Sequence, residues 1–290
     1  MKKNIKHLQF AKLIVLATFT ITSCSKEEAS IEEEIIAEQL ITATELKYSD
    51  ESEMISEEIT TIAEDIYATD EIANTSKFNY SSDYLPECVT ITTVITDSTK
   101  EKTIDFGEGC ELPNGNVLSG IINLSYAKDM ELAQNTLTLT LEDFTFNSVA
   151  VEGGADVLRV RSNDNGYPQG TANATFNATW PDGETASFEG TRTREWIEGY
   201  GSGFWGDNVF LITGKRTFIN KAGSTFEKEV TSPLRRELSC RFIVSGVLDI
   251  TRNENTASLD FGDGSCDAKG VLTLPDGTSE EIFLRRFLKN

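Results

Sequence analysis

The chain has 290 residues, with 47 Asp and Glu against 26 Lys and Arg and a formal net charge of −21. A surface this acidic repels nucleic acid and anionic lipid, so no nucleic-acid partner is expected. The single histidine, His7, falls in a segment that reads as cleaved, which removes Ser-His-Asp and Cys-His catalysis, His-ligated zinc and the usual general base.

Residues 1–23 have the zones of an export signal. Lys2, Lys3 and Lys6 make a basic start, with Lys12 further in, and an apolar run follows from Leu13 to Ile21. The run is shorter than the roughly 20 apolar residues of a spanning helix. It closes on Ile21-Thr22-Ser23-Cys24: branched apolar, small, small, cysteine. This resembles the lipobox of bacterial lipoproteins. The resemblance implies cleavage before Cys24 and lipid on its thiol, with the firm attachment that two or more acyl chains provide. Removing the four lysines from a charge of −21 leaves −25. Ser25 stands where an Asp would suggest inner-membrane retention, and Ser25-Lys26-Glu27-Glu28 looks like the short acidic tags that send some lipoproteins outward. The expected location is the outer membrane, with the cell surface favoured over the periplasmic face. Lipid on Cys24 is the expected membrane contact.

Residues 24–78 hold the lipid anchor and a Glu-rich stretch nearly free of Gly and Pro. Ile55, Ile59, Ile62 and Ile66 recur at spacings of four, three and four, one face of a helix. Ile31, Ile35, Leu40 and Leu46 form a looser stripe. One or two amphipathic helices are expected, or a partly disordered acidic tether holding the body off the membrane. The stripe is too short for a sustained coiled coil.

Residues 79–290 read as an all-β body. Phe176, Ala178 and Trp180 alternate with polar residues, as do Leu137, Leu139 and Leu141, and Phe242, Val244, Leu248 and Ile250 share one parity. Period two marks half-buried antiparallel strands. Pro113-Asn114-Gly115, Pro181-Asp182-Gly183 and Pro275-Asp276-Gly277 supply turns. The expected fold class is therefore mainly β: an antiparallel sheet or sandwich with duplicated disulfide hairpins, preceded by a short acidic helical segment. Its length suits one large sandwich or two smaller packed sheets.

The duplication is the most informative feature of the body. Cys88 leads through a strand and the turn Asp97-Ser98-Thr99-Lys100 to Asp105-Phe106-Gly107-Glu108-Gly109-Cys110. Cys240 leads through a strand and Asn253-Glu254-Asn255-Thr256 to Asp260-Phe261-Gly262-Asp263-Gly264-Ser265-Cys266. Reversal near Ser98 places residue 88 opposite a residue near 109; reversal near Glu254 places 240 opposite one near 268. Hairpin geometry thus predicts Cys88–Cys110 and Cys240–Cys266. An even count of body cysteines in an exported chain favours disulfides over metal binding. The acidic turns lack the Asp-x-Asp-x-Asp-Gly spacing of a calcium loop, as does Asn163-Asp164-Asn165-Gly166, so no metal or other cofactor is expected.

Taken together, the lipobox-like end, acidic lead and paired Asp-Phe-Gly-x-Gly-Cys hairpins resemble a family of uncharacterised Gram-negative envelope lipoproteins. The stretches Thr191-Arg192-Thr193-Arg194-Glu195-Trp196 and Val209-Phe210-Leu211-Ile212-Thr213-Gly214 are similar to it too. The resemblance implies an all-β exported body, and no functional residues come with it. Asp97-Ser98-Thr99 resembles an O-glycosylation sequon used in some such bacteria, making Ser98 a candidate acceptor.

Three functions compete. The first is a non-enzymatic structural or adhesion-type module, partnered with the envelope, since no catalytic constellation stands out. The second is glycan binding by Tyr200, Phe204 and Trp205 in a Gly-rich stretch, with Trp180 and Trp196 expected in the core. The third is a hydrolase using a carboxylate pair, the acid–base chemistry still open without histidine.

Overall fold

The computed structural model describes residues 43–75, 80–240 and 242–283. Helix α1 (Ala43–Thr75) comes first. Fourteen strands follow: β1 (Thr90–Ile95), β2 (Thr99–Asp105), β3 (Cys110–Glu111), β4 (Val117–Ala127), β5 (Gln134–Phe146), β6 (Val149–Val160) and β7 (Gln169–Thr179), then β8 (Thr185–Glu198), β9 (Val209–Asn220), β10 (Thr225–Glu237), β11 (Ile243–Arg252), β12 (Asn255–Asp263), β13 (Lys269–Thr273) and β14 (Ser279–Phe283). They form one antiparallel sheet in chain order, except that short β3 pairs with β4 alongside β2.

Period-two patterning decides the two faces. Phe176, Phe188, Phe218, Phe226, Leu248 and Ile250 are buried on one. The other carries Thr138, Thr140, Asn173, Thr175, Asn177 and Glu189, all exposed. A sheet with one wet face needs a second layer over the apolar one. Neither a sandwich nor a pair of packed sheets supplies it here; helix α1 does.

Every residue from Glu51 to Ala68 is buried. A helix buried on all sides must be enclosed, and its side chains reach strands from β2 to β11: Asp70 meets Lys100 and Lys102, while Glu45 meets Arg252. The sheet therefore curls around the helix. The expectation of an acidic spacer ahead of a separate all-β body starting at residue 79 is corrected for this segment: α1 is the centre of that body. The predicted stripe Ile55, Ile59, Ile62, Ile66 lies in its core. At ~1.5–3 kcal/mol per buried aliphatic side chain, undocking it is costly. The helix backbone comes near β7, whose inward residues Gly170, Ala172 and Ala174 are small enough to admit it.

Both expected disulfides are present. Cys88 and Cys110 have Cα atoms 5.8 Å apart, and Cys240 and Cys266 5.7 Å. The hairpins reverse where the turn residues place them: Thr96 N–H donates to the Thr99 carbonyl, and Asn253 and Glu254 both have positive φ. The first clipped hairpin lies at the β1 edge of the sheet, the second close to the β14 edge.

Candidate functional site

The densest chemistry in the described residues is the ionic contact between α1 and the sheet. Acidic doublets recur along the helix at Asp50-Glu51, Glu57-Glu58 and Glu64-Asp65, seven residues apart, with Asp70-Glu71 beyond. Seven residues are nearly two helical turns, so the doublets stack in rows. The strands answer with cations at inward parity: Arg159, Arg192, Arg194, Arg216, Lys228 and Arg236 are all buried.

Glu53 sits among three of them, with Arg192 Nε and Lys228 Nζ at 2.8 Å and Arg216 Nη1 at 3.1 Å. Burial alone would push its carboxyl up, but Arg192, Lys228 and Arg216 outweigh burial and hold it well below the usual range. Arg194 binds Glu64 through Nη1 at 2.5 Å, yet burial prevails at Glu64 and raises it against the pull of Arg194 and Arg159. Glu57 makes no hydrogen bond of good geometry; charge alone holds it, with Arg194 Nε at 3.2 Å and Arg216 Nη1 at 4.0 Å. Glu71 takes Arg159 at 3.2 Å, Arg161 at 3.1 Å and the Tyr200 hydroxyl at 2.8 Å.

Glycines stand beside these arginines in the strand register, where strand backbones or the helix come close. In strand register Gly170 lies between Arg159 and Arg194, Gly190 opposite Arg216, and Gly214 opposite Arg192. A Cβ on Gly170 would overlap the Glu64 carboxylate, and one on Gly190, whose φ is +133°, would fall 2.5 Å from the Lys215 carbonyl.

On the second acidic row, Glu58 accepts hydrogen bonds from the Tyr84 hydroxyl and from the side-chain amides of Asn114 and Asn116. Asp65 accepts one from Ser82 at 2.8 Å. Burial pushes Asp65 up to about 7, against the Ser82 bond and with help from Asp83. Glu51 takes the Trp180 indole N–H.

The sequence candidates are spread over the molecule rather than gathered in one cleft. Cys24 lies outside the described residues. Ser98 is exposed on the β1–β2 turn. Trp180 and Trp196 are buried. Tyr200 packs edge-on against Trp196 at 5.1 Å and lies under Arg159, with its hydroxyl on Glu71. Trp205 is half-buried against Tyr84, its backbone N–H donated to Asp83. Phe204, at 55% exposure, is the one open ring of the three. The carboxylates the fold does gather are buried against cations, as at Glu53, or against neutral donors, as at Glu58, and not in an open cleft.

Sequence reasoning missed the ionic core. Its signal was present: doublets at heptad spacing beside the Ile stripe, and Arg at apolar-face positions such as Arg192 and Arg194 before Trp196. Comparisons with protein-family models, curated proteins and solved structures returned no match.

Proposed function

We propose that this chain is an exported lipoprotein, held on the outer membrane by lipid on Cys24, whose body is a non-enzymatic structural or adhesion-type module. The observation that carries the reading is Ile21-Thr22-Ser23-Cys24 at the end of an export signal. Two disulfides in the body support it, because such bonds persist in oxidising compartments outside the cytosol. The outward face of the sheet, set with Thr, Asn and Glu, suits water rather than lipid, so attachment falls to the amino terminus. A non-enzymatic role fits a core whose acids are enclosed by cations and by neutral hydrogen-bond donors. Glycan binding is the weaker reading, since Phe204 alone offers a mostly exposed ring.

Growth with an alkyne-tagged fatty acid tests the anchor. The wild-type chain should carry the tag and Cys24→Ser should carry none; an unlabelled wild-type chain would end the proposal. Protease treatment of intact cells then reports which leaflet faces outward.

A further inference from the structure

The two edges of the sheet differ. β14 carries Glu280 and Glu281, the kind of charge that keeps an edge from recruiting another strand. β1 carries none: Val89 to Thr96 is uncharged in a chain with 47 acidic residues. All six β1 residues are exposed, with Ile91 at 43%, Val94 at 54% and Ile95 at 64%. In the second hairpin copy the leading strand, β11, is covered on the corresponding flank by β10; the flank of β1 has no such cover among the described residues.

Hydrogen-bond phase identifies which groups the edge presents. Thr96 bonds Thr99 across the turn, and on the far side of β2 Lys128 N–H donates to the Ser98 carbonyl. Antiparallel pairs alternate, so Thr90, Thr92 and Val94 bond β2, while the N–H and C=O of Ile91, Thr93 and Ile95 point away from the sheet. The side chains of these three share the concave face with Lys100, Lys102 and Ile104, their register partners.

The sequence is also nearly the same read from either end. About Thr93, Ile91 mirrors Ile95, Thr90 mirrors Thr96, and Thr92 mirrors Val94, also β-branched. In an isologous contact residue i meets j while j meets i, so this mirror places like against like: Ile against Ile and Thr against Thr. We propose that β1 pairs antiparallel with β1 of a second copy of this chain, about a two-fold axis through Thr93, joining the two sheets. Ile91 of each copy then packs across from Ile95 of the other, and the bonded pairs are 91 with 95, 93 with 93 and 95 with 91.

Sedimentation of the purified full chain in detergent should give a dimer. Thr93→Cys should yield a covalent dimer on a non-reducing gel, since bonded antiparallel partners lie about 5.5 Å apart, within disulfide reach. Glu281→Cys, on the other edge, should not. Thr93→Pro removes an N–H directed away from β2, so it should weaken the dimer at least about tenfold while leaving thermal unfolding and both native disulfides in place. Ile95→Lys is a second monomerising variant should the proline disturb the hairpin. A monomer at every concentration with no Thr93→Cys dimer overturns the proposal. So does equal crosslinking at both edges, or capture by Thr93→Cys of a protein of different mass.

Discussion

At the scale of residues, Glu53 is held by three buried cations at once. Its removal strands Arg192, Arg216 and Lys228 in a low-dielectric interior. Breaking a buried ion pair from one side costs ~3–5 kcal/mol, and Glu53→Gln should lower unfolding stability by about that much in denaturant titrations. Its carboxyl is depressed in the folded chain, so its contribution is present above the ordinary carboxylate value of 4.5 and is lost as pH falls through the lower folded value. Asp65 has the opposite sign. Unfolded it ionises near 3.8, folded near 7. Between those values the folded chain holds the extra proton, so this residue makes stability fall as pH rises from about 4 to about 7, by an amount on the order of a few kcal/mol. Asp65→Asn should flatten that slope; equal slopes in variant and wild type would refute the assignment. The acidic residues of the helix that carry these charges are plain in the sequence. Their partners are not, because Arg159 and Arg252 lie far along the chain and only the curl of the sheet brings them to one helix.

Among the elements, α1 and the clipped hairpins behave differently under sequence reading. Each hairpin is local: strand, turn and strand specify both register and disulfide, and closing such loops adds roughly 3 kcal/mol in the chain-entropy model. The helix is equally local in its Ile spacing, but its place is not. A Glu-rich helix by itself suits solvent, and an acidic spacer is what its composition predicts. What overrides composition is the inward row of Arg and Lys, which would lie unpaired on an apolar face without the helix. Thr191-Arg192-Thr193-Arg194-Glu195-Trp196 is half of this clamp, with Arg192 on Glu53 and Arg194 on Glu57 and Glu64. Deleting residues 43–75 should therefore abolish cooperative unfolding of the sheet, as read by circular dichroism and limited proteolysis. A deletion that still unfolds with the wild-type midpoint would show the helix to be an accessory.

For the whole molecule, the outward polar face makes a prediction about solubility. If attachment resides in Cys24, a Cys24→Ser chain released from its signal should partition into the aqueous phase after detergent phase separation. Retention in the detergent phase would mean that the body itself holds lipid. Strand content, turn positions, both disulfides and the Ile stripe of α1 were determined by the sequence alone, since each depends on residues within about thirty positions of one another. One sheet rather than two, the helix as its second layer and the pairing of each carboxylate were decided by tertiary structure. Those choices depend on how far fourteen strands curl, and on desolvation that makes a cation or hydrogen-bond donor obligatory for each acid only once the helix is enclosed.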